Sequence, residues 1–180
     1  MGNVTRVHQV NGNPSPDIAD VITLCPLLTE NDFKVTSPKD KKYNCMAWAA
    51  MRDKMNWWEP RKEAGCCWPK GAPFDVGYQS FIKVFELLGY VKCETPDLEE
   101  GFEKVAVFKD LFNWFSHASH QREDGTWTSK LGPFQDIQHW GNEKVQTFDY
   151  GDVIEILKRP RQIWGDGNPR LPPNVELEFF

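Results

Sequence analysis

The sequence predicts an α+β domain in which helices from the first half pack on an antiparallel sheet built from the second half. Three observations carry that expectation. Tyr78, Phe81, Ile82, Phe85 and Leu88 recur at helical spacing on one stripe, and Gly89 suits the left-handed residue that ends a helix. Downstream, FEKVAVFK, FSHASHQ, WTSKLG and DVIEILKR read as strands, and the Asp124-Gly125 pair within REDGT marks a hairpin turn. Helical segments therefore precede strands, without the βαβ alternation that builds parallel sheets.

Taken in order, residues 1–40 are rich in Pro, Asn, Asp and Ser and read as an N-terminal arm. One apolar stretch, DVITLCPLL, suits a short helix or strand that Pro26 stops. Residues 41–160 form the domain proper, beginning with a helix over 43–55 rich in Ala, Met, Trp and Lys. Residues 56–77 carry three tryptophans, three prolines and the Cys66-Cys67 pair, and read as a loop with aromatic anchors. Residues 161–180, with three more prolines, read as an extended tail packed on the same domain.

Composition excludes several classes of function. With 180 residues, 40% hydrophobic and 13% aromatic, the chain buries a core without staples. Its net charge of −5, from acidic and basic residues scattered throughout, offers no basic face to a phosphate backbone, so no nucleic acid is expected. No apolar run approaches membrane-spanning length, and the first twenty residues lack the pattern of a secretory signal. A cytoplasmic location follows as the expectation, with delivery by a specialised secretion route left open. Five cysteines without C-x-x-C spacing suggest reduced thiols, not a disulfide framework or a zinc ribbon. No metal and no cofactor is expected.

Cys45 is the residue that raises a question of chemistry. It precedes a helix-forming run, where free N–H groups and roughly half a positive charge favour a thiolate and would also hold an oxyanion. Such a nucleophile needs a base, and only His8, His117, His120 and His139 exist. In a strand, His117 and Ser119 face one way and Ala118 and His120 the other, so at most one of the two rings meets the Cys45 helix; His117, beside small residues, is the choice. The same alternation argues against a metal held between His117 and His120. Asp136 or His139, in FQDIQHW, would orient the imidazole. Asn44, Trp48, Trp58 and Ser119 stand as substrate-binding candidates around the nucleophile.

The segments YNCMAWA, GFEKVAVF, HASHQREDGTWTSKLGPFQDIQH and YGDVIEILKRP together resemble an uncharacterised bacterial domain family that looks like a divergent branch of the papain-like superfamily, similar to NlpC/P60 cysteine peptidases. The resemblance spans roughly residues 40–160. It implies a papain-like fold and a thiol peptidase or amidase, with Cys45 as nucleophile, His117 as base, and Asp136 or His139 as orienter. A peptide or other amide is the implied substrate. The rival expectation is a non-catalytic protein-binding module on the same scaffold, one fitting a toxin or effector system, that holds a partner through the Trp-rich loop while Cys45 is merely packed.

Overall fold

A computed structural model describes residues 16–51, 56–57, 65–161, 172 and 174–180. The elements are α1 (Pro16–Leu24), β1 (Phe33–Val35), α2 (Cys45–Ala49), β2 (Asn56–Trp57), β3 (Cys66–Pro69), α3 (Tyr78–Leu87), β4 (Val91–Cys93), β5 (Phe102–Lys109), β6 (Phe115–Gln121), β7 (Trp127–Lys130), β8 (Asp136–His139), β9 (Asp152–Pro160) and β10 (Leu177–Phe179). Seven strands form the main sheet in the order β1-β8-β7-β6-β5-β9-β4, and every neighbouring pair is antiparallel. A small second sheet, β10-β3-β2, is hydrogen-bonded separately and shares a core cluster with it.

This corrects the expected papain-like α+β fold. The protein is dominated by antiparallel sheet, and its three helices have only nine, five and ten residues. The cysteine helix, expected over 43–55, closes after Ala49, and Met51 turns the chain through a left-handed φ of 61°. Residues 52–55 lie outside the described residues. Segments read as arm, loop and tail also supply strands. Three arm residues pair as β1 with β8, and Leu177–Phe179 of the tail pair with β3 in the supposed aromatic loop. Short strands like these take their stability from a partner across the ladder, not from their own pattern.

The longer elements form as their patterns demand. In β5, six consecutive residues are buried, because this central strand is covered on both faces. Helix α3 buries Phe81, Ile82, Val84 and Phe85, each contributing roughly 1.5–3 kcal/mol of apolar transfer. Gly89 follows it at φ 88°. Register assigns each strand residue to a face. On one face Val105, Val107, Ala118 and Leu157 join α2 and α3 in a cluster that includes Cys45, Met46, Phe81 and Phe85. On the other, Ile137 and Phe33 pack under α1 with Val21, Cys25 and Val145, while Ala106, Phe108, Trp127 and Ile156 form a neighbouring cluster.

The join between β5 and β9 fixes the end of the sheet that matters below. Gly151 sits at φ 69° with its Cα against the Lys109 carbonyl, so a Cβ there would run into backbone. Gly151→Ala combines an unfavourable backbone conformation with that clash, and is expected to cost about 1–3 kcal/mol or more. Urea unfolding of the variant beside the parent measures it; an unchanged midpoint would mean the segment sits farther from Lys109.

Candidate functional site

Cys45 opens α2 beneath the sheet, 6% exposed. Burial pushes its thiol up to about 11, although backbone N–H groups of Ala118, Met46 and Cys45 itself, and more weakly the Lys130 ammonium, pull it down. Desolvation thus outweighs the helix end, and the sulfur is held as a thiol at neutral pH. Asn44 is fully used in local structure. Its side-chain oxygen caps the Ala47 N–H at 3.0 Å and accepts from the Trp57 N–H at 3.3 Å, while its amide donates to the Trp57 carbonyl at 2.8 Å. Trp48 donates to the Thr128 hydroxyl at 3.1 Å and stacks on Tyr43.

The proposed base lies on the opposite face of the sheet. Ala118 shares the apolar cluster with Cys45, and Thr128, reached by Trp48, pairs across the ladder with His120. His117 pairs instead with Phe108 and sits against that ring and the Tyr150 ring, on the far side. A bulge at Ser116 keeps Phe115 on the Cys45 side while turning His117 away. No hydrogen bond joins Cys45 to an imidazole among the described residues. Asp136 is on the Cys45 side, where its carboxylate accepts from the Tyr43 hydroxyl at 2.6 Å and lies 3.9 Å from the Lys130 ammonium. Burial raises the Asp136 carboxyl and lowers the Lys130 ammonium, each moving toward its neutral form.

The structure does bring together His117 and His139, through a residue the sequence reading passed over. Ser129 lies between them, with its hydroxyl 3.0 Å from His117 Nε2 and 2.9 Å from His139 Nε2. His139 Nδ1 is 2.7 Å from the Gly141 carbonyl, which accepts only, so Nδ1 carries the proton and Nε2 is bare. Ser129 must then donate to His139, and His117 Nε2–H must donate to Ser129. That assignment leaves His117 Nδ1 as a lone acceptor, and it has no hydrogen-bond partner. Beside the chain, Ser119 donates to Asn142 at 2.7 Å. Ser119 and Ser129 are cross-strand partners, so the turn at Asp124-Gly125 was the available signal for this pairing.

Four members of this group, His117, Ser119, Ser129 and His139, are wholly buried. Burial pushes His117 to about 3 and His139 to about 4, and both rings are neutral. His120, on the other face, is held at about 3 by burial and by Arg161, Arg159 and Arg122. The arrangement is a cross-link among β6, β7, β8 and the turn after β8. Trp57 and Trp68 of the expected aromatic loop are also core residues, and Trp58 lies outside the described residues. Among the described residues no group of three or more His, Cys, Asp or Glu is placed to hold a metal ion.

The buried histidines set an acid sensitivity. Each binds a proton in the unfolded chain near pH 6.5 but in the fold only near 3 or 4. Between those limits the unfolded state holds more protons, so stability falls as pH drops below 6.5, by about 1.4 kcal/mol per unit for each ring. At pH 5 the loss is about 2 kcal/mol per histidine. Urea melts at pH 7 and pH 5 measure it, and equal unfolding free energies would mean that the rings are charged in the folded protein.

Among the described residues no helix is long and apolar enough to cross a membrane. Comparison with known proteins gives one match, a family described as Domain of unknown function (DUF7689), over residues 34–158. No curated protein and no solved structure matches. The matched span holds nearly all of the seven-stranded sheet, with Cys45, Ser129 and the three buried histidines, and the chain belongs to this family.

Proposed function

We propose that this chain is a protein-binding module that works without a nucleophile and docks through the end of the sheet where β5 turns into β6. One observation carries the reading: Leu111, Phe112, Trp114 and Phe148 stand 82%, 74%, 52% and 89% exposed at that end. Isolated exposed apolar residues are ordinary, but a group of large ones marks an interaction surface. Their placement is fixed by the backbone. Asp110 accepts from the Phe112 and Trp114 N–H groups at 2.8 and 2.9 Å, and Lys109 donates to Asn113.

Phe148 reaches the same end because its segment is tied there. Ser116 donates to the Tyr150 carbonyl at 2.5 Å, and Asp152 pairs with Lys109 as β9 begins. A turn already held in shape loses little freedom on docking, which favours binding. The surface differs from the Trp-rich loop expected to hold a partner, whose Trp57 and Trp68 are buried.

Two measurements test the reading. Leu111→Ser, Phe112→Ser and Phe148→Ser, made singly, are expected to leave Tm within about 2 °C of the parent, as surface changes do, while together they reduce Nile red fluorescence. A fall of many degrees would show that these side chains hold the fold together and would sink the proposal. Cys45 is expected to resist alkylation in the folded protein at pH 7, read by mass spectrometry of the labelled peptide. Fast labelling there would return attention to a thiol hydrolase.

A further inference from the structure

Resting on the docking reading above, we infer that the partner presents an apolar segment flanked by lysine or arginine. The chemistry around the four apolar side chains points that way. Asp149 and Asp152 are exposed and adjoin Phe148 and the start of β9. Neither side chain has an ion pair or hydrogen bond among the described residues. Elsewhere on the surface several carboxylates are engaged by lysine: Asp32 by Lys144 at 2.7 Å, Glu155 by Lys92 at 2.6 Å and Glu99 by Lys158 at 2.7 Å.

Asp110 adds a third carboxylate at the same end. Its Oδ1 caps the turn through two backbone N–H groups, and Oδ2 has no hydrogen bond or ion pair among the described residues. Among the described residues the cation beside them is Lys109, already committed to the Asn113 side-chain oxygen and lying 5.7 Å over the Tyr78 ring. Among the described residues, three carboxylates against one ammonium give the rim a negative field within a Debye length of the apolar centre. Such a rim governs which partner approaches and how fast, while the apolar side chains supply the contact.

The same field disfavours the other occupants of an apolar end. A second copy would set Asp149 and Asp152 against their own counterparts, and an anionic bilayer or a nucleic acid would meet like charge. A cationic protein segment is the occupant that satisfies both the centre and the rim.

Two synthetic amphipathic peptides of equal length test this, with the same leucines but lysine in one and glutamate in the other, each titrated into the full chain. The Leu/Lys peptide is expected to bind, to shift amide resonances of residues 109–116 and 147–152, and to weaken about tenfold in the Asp149→Asn, Asp152→Asn double variant and at high salt. A Ser/Lys peptide is expected not to bind. Equal binding of the Leu/Glu peptide at this surface would overturn the charge preference and leave the docking reading standing. Failure of the Leu/Lys peptide to bind, or shifts confined to another face, would overturn the inference; unchanged Nile red fluorescence in the triple serine variant would take the docking reading with it. A blue shift of tryptophan fluorescence on phosphatidylserine vesicles, absent from Trp114→Ala, would assign the surface to a membrane instead. Dimerisation in sedimentation that Phe112→Ser abolishes would assign it to a second copy.

Discussion

The central strands of this protein are covered on both faces, and that double cover decides the fate of every polar side chain they carry. Water is not available to β6 or β7, whose residues are almost all buried. A polar atom there must find a partner within the fold or cost about 1–3 kcal/mol. The chain from His117 through Ser129 and His139 to the Gly141 carbonyl is one solution, and Tyr43, Asp136 and Lys130 on the other face are a second. Both also tie neighbouring elements together: the first links three strands to the turn after β8, the second links the residues before α2 to β7 and β8. Each draws its titratable members toward their neutral forms, because burial works against the charged form of imidazole, ammonium and carboxylate alike.

That constraint explains why residues with reactive reputations are quiet here. Nucleophilic chemistry needs a thiolate or an activated hydroxyl with access for a substrate. Cys45 has the short helix start, yet desolvation dominates its environment. Ser129 has a neutral histidine to accept its proton, an arrangement familiar from hydrolases, but its oxygen also accepts from His117, and the whole group is buried. A hydrogen bond donated to a hydroxyl oxygen draws electron density away from it. Geometry that resembles activation serves here as a buried cross-link among strands, with His117 Nδ1 left without a hydrogen bond.

Much of the fold was legible where the pattern is long. Helix α3 and the strands β5 and β9 follow from apolar spacing over eight or more residues, β6 from its place before the turn, and Gly89 and Asp124-Gly125 mark real turns. What escaped is short and defined by its partner. DIQH has no pattern of its own, yet it becomes β8 because β7 and β1 flank it, and CCWP becomes β3 because the tail lies along it. The candidate site failed at one step of the same kind. Strand alternation correctly sent His117 and His120 to opposite faces, but the face that meets α2 is fixed by Ala118 in the shared core and by the bulge at Ser116, neither of which alternation alone reveals.

The apolar end stands apart from these buried networks. Leu111, Phe112, Trp114 and Phe148 belong to none of the three core clusters, so the fold does not depend on burying them. Covering all four would yield roughly 1.5–3 kcal/mol apiece, about 6–12 kcal/mol in gross terms. Association itself costs an estimated 4–15 kcal/mol or more, which consumes most or all of that gain. The apolar contacts alone therefore support only a weak, rapidly exchanging complex. Rim charge can make that complex selective by raising the encounter rate of a cationic partner without requiring a larger footprint. A rigid turn, a small apolar centre and unpaired carboxylates together describe a surface suited to transient recognition, carried by a core that does not depend on it.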